Sequence, residues 1–143
     1  MVKVELERID DAYHMVATND RGNVVHTDDG GKEGGKGAGF GPMQMLLAAL
    51  GGCSAIDVVS ILKKQRQPLE DIKITVTGER QAGVVPSLYQ TAHAHFKLYG
   101  KIDEDKAAKA VELSVEKYCS VAMTLRKSGA VITYSFEIVF GNQ

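Results

Sequence analysis

Tryptophan is absent from the chain, and five tyrosines and four phenylalanines are its only aromatic residues besides histidine. That is too little to lay out a platform on which nucleotide bases could stack. Neither sign of charge is in excess: 17 Lys and Arg stand against 18 Asp and Glu, with a pI near 6.4. The electrostatic footprint of a nucleic-acid or anionic-membrane binder is therefore missing. The longest nearly apolar run, Met43 to Cys53, is too short to span a bilayer and is soon followed by Ser54, Asp57 and Ser60. The opening "MVKVELERID" alternates apolar and polar residues, unlike a signal peptide. Only two cysteines occur, Cys53 and Cys119. Their wide separation gives neither a metal knuckle nor a disulfide framework. Reduced thiols and a cytosolic location are expected, with no nucleic acid, membrane, metal or cofactor as partner.

What is present suits a single domain over residues 1–143, long enough to bury a core without disulfides. Val2, Val4 and Leu6 alternate with charged residues as in a half-buried strand, and "AYHMVAT" and "NVVHT" follow, joined by the turn formers of "NDRG". A glycine-rich loop, "DDGGKEGGKGAGFGP", leads to Pro42, which fits the first turn of a helix. From Met43 to about Gln65 the pattern is helical and apolar on nearly every side as far as Ile56, as in a helix buried all round. Ile72, Ile74 and Val76 mark a fourth strand, "LYQTAHAHFKLY" a fifth and "VITYSFEIVF" the last. Between the last two, acids at the start and Arg126, Lys127 and Gly129 at the end delimit a single helix with Val111, Val115, Cys119 and Ala122 on one face. The expected order is β-β-β-α-β-β-α-β. The class is α+β, with antiparallel sheets around a long buried central helix.

Several stretches invite a chemical reading. Gly30, Gly35 and Lys36 match part of a phosphate-binding loop, but Gly37 replaces the Mg²⁺-holding hydroxyl and the lysine lies away from the helix start, so a mobile surface loop is expected. His93 and His95 share a strand face with Tyr89, Thr91, Lys97 and Tyr99, opposite an apolar face of Leu88, Ala92, Ala94, Phe96 and Leu98. Without a third ligand nearby they read as solvent-side residues rather than a metal site.

The stretch "ALGGCSAIDVV" is more informative. Two interior glycines cost a helix about 1 kcal/mol each relative to alanine, yet Gly51 and Gly52 directly precede Cys53. They leave bare backbone that a helix or a ligand can approach closely. Asp57 and Ser60 share the face of Cys53, and Cys119 lies in a helix built to pack inward, so the two sulfurs could meet. A reactive thiol wants a cation beside it. Arg80 continues the inward alternation of Ile72, Ile74, Val76 and Gly78, and Arg21 at the first hairpin tip is the other candidate.

The stretches "GPMQMLLAALGGCSAIDVVSILKKQRQ", "TGER" and "AVELSVEKYCSVAMTL" together resemble the OsmC/Ohr family, most closely its YhfA-like branch, and the resemblance spans essentially the whole chain. It implies an intertwined homodimer with the long helix at its centre and two active sites at the interface. It further implies a thiol-dependent peroxidase acting on organic hydroperoxides, with Cys53 as the peroxidatic thiol, Cys119 as the resolving thiol, and an external dithiol as reductant. Leu46, Leu47 and Leu50 would give the site an apolar wall. Arg21 matches the arginine position of the peroxidases and Arg80 that of the YhfA-like branch. Peroxidase members carry a glutamate just after the proline that opens the central helix, whereas Met43 and Gln44 stand here. That departure favours the rival reading, a non-catalytic dimer that binds a small apolar ligand or senses oxidants.

Overall fold

A computed structural model describes residues 1–141. The order is β1 (Glu5–Arg8), β2 (Met15–Thr18), β3 (Val24–Thr27), α1 (Pro42–Lys64), β4 (Asp71–Arg80), β5 (Tyr89–Tyr99), α2 (Glu104–Leu113), a π-helical turn (Ser114–Tyr118), α3 (Ser120–Lys127) and β6 (Val131–Val139). The α+β class holds, with two three-stranded sheets. The chain forms two compact units, Met1–Leu46 and the remainder from Leu47, and the boundary falls inside α1.

In the first unit β1, β2 and β3 form an antiparallel meander. The Asn19 side chain closes the hairpin by accepting from the amides of Arg21 and Asn23 at 3.0 Å, and Gly22 takes the left-handed backbone the turn requires. Helix α1 begins at Pro42, and Gln44 reaches back so that its Oε1 accepts from the Gly41 amide at 2.9 Å. Gln44 thus performs the reciprocal half of a capping box.

The second unit is a sheet in the order β4-β5-β6 with helices against its apolar face. Ile72, Ile74 and Val76 register against Leu98, Phe96 and Ala94, and Ile132 opposes Ala92 from β6. Phe96, Leu98, Leu50, Val58, Leu62, Val111 and Val115 form the buried centre. Helix α1 lies close over β4. A Cβ on Gly51 would stand 3.1 Å from Val76 Cγ2, and one on Gly78 would stand 3.1 Å from Leu47 Cδ2. Gly51 is therefore explained by the chain's own helix-on-sheet contact, whereas a Cβ on Gly52 would meet nothing within 4 Å.

The structure corrects the sequence reading in four places. First, β5 and β6 pair in parallel, not antiparallel; the helical segments between them carry the chain back to the end from which β5 started, as a crossover must. Second, the single helix expected after β5 is broken into α2, the π turn and α3, and Cys119 sits in the break with extended backbone (φ −73°, ψ 105°) rather than on a helix face. Third, α1 is not buried all round within the chain. It gives one stripe, Leu50, Ser54, Val58 and Leu62, to the interior and leaves Ile56 70% and Val59 40% exposed. By its length, and by a mean hydropathy of 2.0 over its most apolar 18 residues, this helix is long and apolar enough to cross a membrane, because the aliphatic residues on both sides offset Asp57 and the serines. Fourth, a bulge at Glu79/Arg80 pairs Arg80 with Tyr89, which buries Tyr89 and leaves Leu88 exposed, the reverse of the simple alternation.

Gly51→Leu should lower the unfolding free energy by about 1–3 kcal/mol through overpacking against Val76 and Ile74. Urea unfolding monitored by circular dichroism checks this, and wild-type stability would show that close approach is not what requires the glycine.

Candidate functional site

The break between α2 and α3 is made and held by a few specific hydrogen bonds. The Cys119 amide donates to the Ser114 carbonyl at 2.8 Å, a bond spanning five residues instead of four. The widened turn leaves the Val115 carbonyl to an outside donor, and Arg126 Nη1 supplies it at 2.7 Å while its Nη2 bonds Glu116 at 3.2 Å. Single π turns of this kind are frequent at functional sites. Beyond the break, Cys119 is the N-cap of α3, and its Sγ accepts from the Ala122 amide at 3.3 Å. A thiol thereby takes the place that a serine or threonine oxygen usually fills.

Helix α1 faces this break with Cys53, Ser54 and Asp57. Ser54 Oγ donates to Cys119 Sγ at 3.5 Å. Ser114 Oγ lies 3.0 Å from the Ser54 carbonyl and 3.3 Å from Asp57 Oδ2, so its one proton is shared between two acceptors. The sulfurs of Cys53 and Cys119 and a carboxylate oxygen of Asp57 all lie within 4.8 Å of one another. Both thiols are free; Cys53 is half-buried and Cys119 buried.

The two sulfurs therefore experience different surroundings. Burial pushes the Cys119 thiol above its ordinary pKa, the Ser54 hydroxyl and the Ala122 amide pull it partway back, and the neighbouring Cys53 pushes it up again. Cys119 is a shielded thiol that holds its proton more tightly than usual, next to a more accessible one.

Of the residues singled out in the sequence, Cys53, Asp57 and Cys119 come together, while Ser60 is exposed. Leu50 is wholly buried and cannot wall an approach to Cys53; the exposed residues of α1 nearest Cys53 in the helix are Ala49, Gly52 and Ile56. Arg80 is exposed, and its Nε and Nη2 donate to the Ser87 carbonyl at 3.0 and 2.9 Å. Arg21 lies exposed in the β2–β3 turn, the second hairpin rather than the first, in the first unit. His93 and His95 bond Thr133 and Ser135 on the outer sheet face at 2.7–2.8 Å. In the glycine-rich loop the amides of Gly31, Glu33 and Gly35 all donate to the Asp29 carboxylate, at 2.7, 2.6 and 3.0 Å. Burial would raise the pKa of Asp29, but these amides outweigh it and hold the carboxyl below the usual range. The loop's donors are thus occupied by the chain's own anion. The sequence reading missed Ser54, Ser114 and Arg126. The available signal was a serine on each of two apolar stripes, since a buried hydroxyl requires a partner.

The family model described as OsmC-like protein matches residues 34–135. Protein YhfA of Escherichia coli K12 is 50% identical over 99 residues, 68% of this chain and 72% of YhfA. A crystal structure of a hypothetical protein from Aquifex aeolicus is 32% identical with a TM-score of 0.84, covering 99% of this chain and 98% of that one. An organic hydroperoxide resistance protein OsmC from Legionella pneumophila shares the fold at a TM-score of 0.72 and 16% identity, with 96% of each chain covered.

The folded state holds the Cys119 proton more tightly than the unfolded chain, where a thiol ionises near pH 8.5. Stability should therefore be intact below about pH 8.5 and fall as pH rises above it. Cys119→Ala removes the group and should flatten that fall. Urea midpoints under reducing conditions from neutral to about pH 10 test this, and equal alkaline slopes in the two proteins would exclude the thiol as the cause.

Proposed function

The chain belongs to the OsmC-like family, and from that premise we propose that it is a thiol-dependent peroxidase that reduces organic hydroperoxides through Cys53 and Cys119. The observation that carries this reading is the pair of free sulfurs within 4.8 Å, one reachable from solvent and the other shielded. The Legionella protein of the same fold bears the name of an organic hydroperoxide resistance protein, which supports the substrate class.

The reaction divides between the two sulfurs. The Cys53 thiolate attacks the distal peroxide oxygen, the O–O bond breaks, and the alkoxide leaves and takes a proton to become the alcohol. Cys53 is then a sulfenic acid. The Cys119 sulfur displaces its hydroxyl, which departs as water, and a disulfide forms. An external dithiol returns both sulfurs to the thiol state by exchange and is itself oxidised to a disulfide. Ala49, Gly52 and Ile56, exposed in the single chain, would form the apolar side of a substrate channel at the dimer seam, which suits an organic peroxide. Arg80 belongs to the same unit as Cys53, and its guanidinium rests on a neutral carbonyl, a partner weaker than a thiolate. It is the arginine assigned to steady the thiolate, and Arg21 is the alternative. The reducing cytosol is the compartment in which such a pair is recharged.

The working form in this proposal is a homodimer. The exposed flank of α1, with Ile56 and Val59, presents apolar surface that a second copy would cover. Gly52→Leu is compatible with the single chain, since nothing lies within 4 Å of its Cβ position. The variant should sediment as a folded monomer where the wild type is a dimer; a normal dimer from it would remove Gly52 from the interface.

One equivalent of an organic hydroperoxide should cost the wild type both thiols and yield an internal disulfide. Cys119→Ser should stop at a sulfenic acid on Cys53, trapped by dimedone and detected by mass spectrometry. Cys53→Ser should consume peroxide at least about 100-fold more slowly. Wild-type consumption by Cys53→Ser would sink the mechanism, and so would a wild type that never forms the bridge.

A further inference from the structure

We propose that the reduced protein binds one Zn²⁺ per chain between Cys53 Sγ, Cys119 Sγ and a carboxylate oxygen of Asp57. The three donor atoms already lie within 4.8 Å of one another. Tetrahedral zinc, with sulfur at about 2.3 Å and carboxylate oxygen at about 2.0–2.2 Å, needs its ligand atoms roughly 3.5–3.8 Å apart. Small side-chain rotations therefore close the site. Cys53 and Asp57 stand one turn apart on α1, and Cys119 arrives from the helical break, so the donors come from two rigid elements.

The surroundings supply the outer contacts that a metal site uses. Ser114 Oγ orients Asp57 from 3.3 Å, and Ser54 Oγ and the Ala122 amide both point hydrogens at Cys119 Sγ. Two soft sulfurs with one oxygen favour zinc-like ions over magnesium or calcium. Three protein ligands leave a fourth position, and half-buried Cys53 and Asp57 open it to water.

Each thiol loses its proton as its sulfur–metal bond forms. The resulting dithiolate cannot be a disulfide at the same time, so metal binding and oxidation exclude each other. An oxidant of the hydroperoxide or diazene class takes two electrons from the bound sulfurs, with two protons from water, and becomes alcohol and water or a hydrazine; the disulfide that forms releases the ion as Zn²⁺, unchanged in oxidation state. The site is thus a thiol pair that reports its redox state as metal affinity. The donor geometry alone makes the site, whichever oxidant closes the disulfide.

The test uses metal-free, fully reduced protein under argon. Titration with Co²⁺ should give thiolate-to-cobalt charge-transfer absorption in the near ultraviolet, saturating at one ion per chain. Zn²⁺ should displace it, and competition with a chromogenic chelator gives the zinc affinity. Asp57→Asn, which keeps the side-chain shape, should weaken zinc binding about tenfold or more. Wild type oxidised with diamide should lose the charge-transfer signal and bind zinc at least about 100-fold more weakly. Diamide forms the disulfide without peroxide, so failure here is distinguishable from failure of the peroxidase reading. No saturable binding by the reduced protein would overturn the proposal. Equal binding by the oxidised protein or by Asp57→Asn would overturn it too.

Discussion

Two serines stitch α1 to the broken helix, and the site depends on that stitch. Ser114 reaches from the π turn to the backbone of Ser54, and Ser54 reaches back to the sulfur of Cys119. Both residues are fully buried, where an unpaired hydroxyl is costly, so the two elements are held in the one register that satisfies both. Replacing the serines with aliphatic residues would fill the volume but lose the register, since apolar contacts tolerate sliding and hydrogen bonds do not. The spacing of Cys53, Asp57 and Cys119 is a consequence of this pairing.

A second consequence is the unequal treatment of two chemically identical side chains. Cys53 lies in an unbroken helix at the edge of the buried stripe. Cys119 lies in a discontinuity that turns its sulfur into a cap and encloses it. Arg126 maintains the discontinuity by taking the carbonyl that the π turn releases. At the start of α1, where peroxidase relatives are expected to carry glutamate, Gln44 has the same reach without the charge, and it is engaged with the helix's own first amide. The helix start is thereby built without a carboxylate that could orient an arginine.

Much of this was legible in the sequence because it followed simple periods. Alternation gave the strands, the long apolar pattern gave α1, and of the two glycines before Cys53 it is Gly51 that marks a close approach within the chain. In the glycine-rich loop the letters do not announce that Asp29 takes the amides of Gly31, Glu33 and Gly35. The exceptions are all places where the period changes phase. The break at Ser114–Cys119 keeps its apolar spacing on both sides, so a continuous helix fits the letters equally well. The bulge at Glu79/Arg80 shifts the alternation by one and exchanges Tyr89 with Leu88. The parallel return of β6 is set by the crossover rather than by any residue in the strand. Ser54 and Ser114 were visible only as polar residues on apolar stripes, and their pairing required the fold.

The parallel pairing of β5 with β6 has a consequence for how the second unit is made. β5 is the middle strand of its sheet, yet one of its neighbours is encoded only after both helices of the crossover. A ribosome that has released β4, β5 and α2 has produced a hairpin with an open apolar edge and no means of closing it. Parallel closure across a long crossover is slow, and an open edge of this kind recruits strands from other chains. The nascent chain therefore passes through a window of vulnerability whose length is set by the translation of residues 100–139, the stretch that carries the crossover and the strand that closes the edge.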